Sequence, residues 1–114
     1  MTAYQANFPR MQTASGVNGA SGDTAIIAPP GAGLQICILS MSVQNNSGTN
    51  TLCILKETGS GTPVEHITTG AFGSGKIANY TDETPKCLAY NQGLTMNLSA
   101  ASSHVYTIDY IVKR

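Results

Sequence analysis

Between Gly33 and Glu57 the chain reads GLQICILSMSVQNNSGTNTLCILKE. Two extended runs, Leu34–Gln44 and Thr51–Glu57, flank an Asn/Ser/Gly/Thr segment whose residue types make a turn. In the first run Leu34, Ile36 and Ile38 point one way, and Cys37, Leu39, Met41 and Val43 the other. A strand with one wet face alternates apolar and polar residues. This one is apolar on both faces over its middle. Its outward face is therefore expected to pack on a second layer of the same chain or on a neighbouring subunit.

The rest of the chain keeps the same rhythm. Thr24–Ala28 is a strand stopped by Pro29-Pro30-Gly31, which cannot continue a ladder. After Glu57 come Val64–Thr68, Ile77–Thr81 and a brief Cys87–Tyr90. Gly93–Ala100 puts Leu94, Met96 and Leu98 inward and Thr95, Asn97 and Ser99 outward. His104–Lys113 closes the chain with Tyr106, Ile108, Tyr110 and Val112 on one face and Thr107 and Asp109 on the other. No segment carries a helical stripe. Eight short strands at regular turn spacing predict an all-β, antiparallel β-sandwich of jelly-roll type over 23–114. Residues 1–22 show no strand or helix period and read as an extended N-terminal arm. Its apolar residues, Tyr4, Phe8, Pro9 and Met11, are more anchors than a solvated tail carries, so the arm is expected to dock on a neighbour.

Charge narrows the function classes. Only 11% of the 114 residues are Asp, Glu, Lys or Arg, and the formal net charge is zero. The four Lys and two Arg are scattered, with none of the basic stripe that nucleic acid demands, so no nucleic-acid partner is expected. No apolar run approaches a membrane span and no signal segment opens the chain, so neither a membrane nor secretion by that route is expected. Cys37, Cys53 and Cys87 sit in apolar strands without a CxxC pair and read as buried free thiols. A bridge between adjacent strands, such as Cys37 with Cys53, stays open.

The candidate chemical motifs are poor. Gly70-Ala71-Phe72-Gly73-Ser74-Gly75-Lys76 matches seven positions of the phosphate-binding loop, but Ile77 replaces the magnesium-binding hydroxyl. The following IANYTDETP cannot form the helix that holds phosphates, so no nucleotide site or other cofactor is expected. His66 and His104 have no ligand partner at short spacing, so no metal is expected. His104, Asp109 and a serine could be drawn as a triad, but no nucleophile elbow accompanies them. Asp82 and Glu83 beside Lys86 read as a solvated turn. Tyr80, Tyr90, Tyr106 and Tyr110 could line a sugar platform, but aromatics at alternate strand positions belong more often to a core. The inventory predicts no enzyme and no catalytic residues.

From Asp23 onward the order of features resembles a family of small bacteriophage structural proteins. The pattern runs GDTAIIAPPGAG, LQICILSMSVQNNSGTNTLCILKE, TTGAFGSGKIANY, KCLAYNQG and LTMNLSAASSHVYTIDYIV. Such domains are similar to the β-sandwiches of head decoration (cement) proteins, and similar domains occur in tail fibres. Many relatives carry an aromatic-rich segment before the Gly-Leu strand, reduced here to Cys87-Leu88-Ala89-Tyr90. The resemblance implies a homotrimer or other small oligomer on the capsid exterior, with the major capsid protein as partner and the host cytoplasm as the place of assembly. The expected oligomer interface is Leu39, Met41 and Val43, and the expected shell-binding arm is Tyr4, Phe8, Pro9 and Met11. The alternative is a receptor- or glycan-binding domain of a tail fibre or other virion component.

Overall fold

A computed structural model of the chain describes residues 10–73, 75–80 and 84–114. Among them lie nine strands: β1 (Gln12–Asn18), β2 (Gly22–Ile27), β3 (Gln35–Asn45), β4 (Thr51–Glu57), β5 (Pro63–Thr69), β6 (Gly75–Asn79), β7 (Lys86–Cys87), β8 (Leu94–Leu98) and β9 (His104–Lys113). They pair in a nested series, all antiparallel: β1 with β9, β2 with β8, β3 with β6, β4 with β5. Wrapping that ribbon on itself produces two sheets, ordered β1-β9-β3-β6 and β2-β8-β4-β5, with β7 added to β3 beside β6. This nested order is that of a jelly roll. The predicted antiparallel sandwich forms, with one strand more than the eight read from sequence.

That extra strand is β1. Gln12–Asn18 pairs along its whole length with Tyr110–His104 of β9. Its burial alternates weakly, with Ala14 and Gly16 half-buried and Asn18 buried, and no large apolar residue faces inward to mark a strand. Of the extended arm expected over 1–22, residues 12–18 belong to the sheet and Gly22 opens β2, while residues 1–9 lie outside the described residues.

The two-sided apolarity of β3 has an internal cause. Ile38 pairs with Tyr110 and Ser40 with Asp109, which leaves Leu39 as an extra residue in a β-bulge. One inserted residue reverses the side-chain phase. Ile36 and Ile38 face the core before it, and Met41 and Val43 face the same core after it. Met41 and Val43 are 2% and 1% exposed. They cannot form the expected oligomer interface, and of that trio only half-buried Leu39 retains access to solvent.

The turn after β3 does not pair the two strands it joins. It carries the chain from one sheet to the other, so β3 and β4 lie in opposite sheets. Cys37 and Cys53 are thereby separated. Cys37 instead faces Cys87 of β7 as a Cα partner and is disulfide-bonded to it, while Cys53 stays a buried free thiol. Burial holds the Cys53 thiol protonated, its pKa pushed up to about 11.

Leu55, Leu94, Met96, Leu98 and Ile108 complete the core between the sheets, as the alternation of β8 and β9 predicts. Tyr106, Tyr110 and Val112 pack against it. Leu88, just after β7, is only 2% exposed and plugs one end.

Candidate functional site

The Gly70–Lys76 loop and the edge strand it feeds form the feature best suited to contact another molecule. The loop is tied to the β3–β4 turn by three backbone donors. Phe72 N donates to Ser47 O at 2.9 Å, Gly73 N to Asn45 O at 2.5 Å, and Ala71 N to Asn50 Oδ1 at 3.0 Å. Asn45 in turn braces the turn from inside, accepting from Ser47 N at 2.9 Å and donating to Thr49 O at 2.7 Å. Held this way, Phe72 adopts φ +55°, a conformation that bulky residues seldom occupy. Its ring lies over Gly48, where an added Cβ would approach the ring carbon to 3.2 Å. The side chain is nevertheless 80% exposed. A left-handed backbone at a bulky residue whose ring is left mostly in water is a local strain with little burial in return, and such strain collects at functional positions.

Next to Phe72 the chain enters β6. A Cβ at Gly75 would sit 1.9 Å from the Val43 carbonyl oxygen, so only glycine lets β6 meet β3 there. Ile77, opposite Ser42, is 74% exposed on the outer face. Between loop and strand lies an open cleft of about 350 Å³ lined by Ser42, Val43, Gln44, Gly73, Lys76 and Ile77. Lys76 leaves that cleft without a free charge because its ammonium pairs with Glu65 of β5. Tyr80 also donates to Glu65, at 3.1 Å. Partial burial raises the Glu65 pKa, but the Lys76 and Tyr80 hydrogen bonds and the nearby Lys76 and Lys86 charges outweigh it, and the net shift is downward. The outer face beyond Ile77 is low in charge: Asp109 accepts from Thr13 at 2.6 Å and from Ser40 at 3.0 Å, amid Ser15, Ser42 and Thr107.

The glycines of the phosphate-loop match thus serve a turn and a close strand approach, and a strand follows them. The other motif residues are dispersed. His104 is fully buried among Thr69 and Ser102, whereas Asp109 faces outward on the same strand, so no triad assembles. His66 is exposed on β5, and among the described residues no group of three or more His, Cys, Asp or Glu could hold a metal. Tyr106 and Tyr110 pack on the core, Tyr80 joins Glu65, and Tyr90 is 56% exposed, so they form no shared platform. Tyr4, Phe8, Pro9, Asp82 and Glu83 lie outside the described residues. Met11, immediately before β1, is 62% exposed.

Sequence reasoning missed that Phe72 and Ile77 are large apolar side chains left exposed. A signal existed in the lone aromatic set among Gly70, Gly73 and Gly75, where a turn has no use for one. No protein-family model, curated protein or solved structure matches the chain.

Proposed function

We propose that this is a non-enzymatic bacteriophage virion structural protein, a decoration or cement protein that binds the capsid exterior and self-associates there as a small oligomer such as a homotrimer. The single observation that carries the reading is the exposed apolar pair Phe72 and Ile77, beside an open cleft on a chain of very low charge. Aromatic anchors beside uncharged polar surface are the usual energetic centre of a protein contact. Burying each ring or branched side chain contributes about 1.5–3 kcal/mol before ordering costs. Several copies held on one particle make such contacts collectively tight. The Cys37–Cys87 bridge also suits a particle exposed to an oxidising exterior after assembly in the host cytoplasm.

The partner is the major capsid protein, with Phe72, Ile77 and Leu39 as the contact residues on the sandwich. Residues 1–9, carrying Tyr4, Phe8 and Pro9, supply a second contact together with Met11. Deleting 1–22 would remove β1 from its sheet, so the informative truncation is 1–9.

The test is cosedimentation with shells assembled from the capsid protein of the same genome. The wild-type chain is expected to saturate a fixed number of sites per shell. Phe72→Ser and Ile77→Ser should each weaken binding roughly tenfold or more, and removal of 1–9 should weaken it further while leaving a folded protein. A chain that binds no shell, or binds equally well with both side chains removed, overturns the reading.

A further inference from the structure

Each sheet of the sandwich has two edges, and three of the four carry protection against pairing with another chain. β2 is bulged at Ile26, carries Asp23 and runs into Pro29-Pro30. β5 begins at Pro63, is bulged at Val64 and carries Glu65 and His66. β6 is only five residues long and carries Lys76. These are the devices by which sheet proteins blunt their edges: short length, charge, proline and bulges. β1 has none. Its seven residues, QTASGVN, hold no charge and no proline, and they run in unbroken register along β9. Among the described residues no strand pairs with its other side. Val17, on the outward row with Thr13 and Ser15, is 67% exposed.

We propose that β1 is a strand-addition site for a second copy of this chain, pairing antiparallel with β1 of the partner to join two sheets into one. Self-complementarity favours that occupant. A two-fold contact places the same strand on both sides, and the register in which all seven residues pair sets Ser15 opposite Ser15 and Thr13 opposite Val17. That register keeps the outward rows of both copies on one face. Because the strand is uncharged, no like charges approach across the axis, whereas the same two-fold register would set His66 opposite His66 in β5 and Lys76 diagonal to Lys76 in β6. The contact uses none of the residues assigned to the shell, so it stands independently of the virion reading and can link trimers as well as single chains.

The test is the solution mass of the purified full chain across concentration, for wild type, Ser15→Lys and Ser15→Glu. Ser15 is exposed on the outer face, so both variants should remain folded. Wild type is expected to form an assembly with an even number of copies. Each single variant should associate at least roughly fivefold more weakly, with lysines or glutamates facing one another within ~5 Å, and the assembly mass should halve. Mixing the two variants should restore it, as mixed pairs only. A wild-type chain that stays single at high concentration overturns the proposal. So does an assembly indifferent to both variants, which would place the interface elsewhere. Backbone amides of β1 that gain exchange protection only when shells are added would overturn it as well, assigning the edge to a capsid strand.

Discussion

At the end of the sandwich where β3 and β5 finish, the closure is made of buried polar side chains. Thr69 Oγ1 lies 3.0 Å from His104 Nε2 and donates to Thr51 O at 2.8 Å, while Asn45 Nδ2 reaches it at 3.4 Å. His104 Nδ1 meets Ser102 O at 2.9 Å, and the Thr51 and Ser102 hydroxyls are 2.6 Å apart. At the opposite end, where β3 begins, the closure is the Cys37–Cys87 bond with Leu88 beneath it. Gln35 Nε2 donates to Leu88 O at 3.0 Å, and Ala89 N donates to Glu57 Oε2 at 2.8 Å. The first end links the two sheets through directional contacts that fail together, since each buried group depends on its neighbours. The second ties residues 50 positions apart and acts mainly by restricting the unfolded chain. The two closures therefore respond to different perturbations.

Reduction is expected to break the contrast hardest. A reductant, or Cys37→Ala with Cys87→Ala, should lower the unfolding free energy by up to about 4 kcal/mol for a loop of this length, read from denaturant midpoints. Cys53 should remain unlabelled by thiol reagents in the reduced folded protein, because it is buried and its thiol stays protonated. Cys87, which is exposed, should label first. Rapid labelling of Cys53 under native conditions would show that the bond holds more of the fold than its own end.

Next in size is Thr69→Val, which keeps the shape and deletes the hydroxyl shared by His104, Thr51 and Asn45. It should destabilise by about 2 kcal/mol, because buried partners are left without a bond. The effect should be the same with the disulfide intact or reduced, since the two sites share no residue. A strong dependence on redox state in a double-variant cycle would join the ends that the structure keeps apart.

The smallest effect lies at the seam where β5 and β6 bring Glu65, Lys76 and Tyr80 together. The Glu65 carboxyl has a folded-state pKa below its ordinary 4.5. Its contribution is thus fully present above that value and is lost as pH falls through the lower folded one. Glu65→Gln should cost about 0.5 kcal/mol at neutral pH for this partly exposed pair, and the cost should fade in acid below pH 4.5. A cost that persisted unchanged at low pH would mean packing, not charge, is what the side chain supplies.

The regular strands were legible because alternation records burial directly. Leu94, Met96 and Leu98 or Tyr106, Ile108 and Tyr110 leave a period of two that no other structure explains. β1 was not legible, because Ala14, Gly16 and Asn18 are the residues a strand shows when its inner face lies under Tyr106 rather than filling the core itself. A Cβ on Gly16 would come within 3.0 Å of the Tyr106 hydroxyl oxygen. The candidate contact surface was legible only as composition, since nothing in a Gly-rich loop says which way its aromatic ring will turn.

The sequence alone determined the class of fold, the positions of the strands after β1 and the inward faces of β8 and β9, because each follows from local period and turn chemistry. Tertiary structure decided what depends on residues far apart. The bulge at Leu39 turned Met41 and Val43 inward, because β9 offers one residue where β3 has two. The crossing of the chain between sheets separated Cys37 from Cys53 and brought Cys87 to it. Among the described residues, the nested pairing left β1 as the one edge without charge, proline or bulge. Local sequence sets what a segment can become, but phase, partner and exposure are set by the strand that lies beside it.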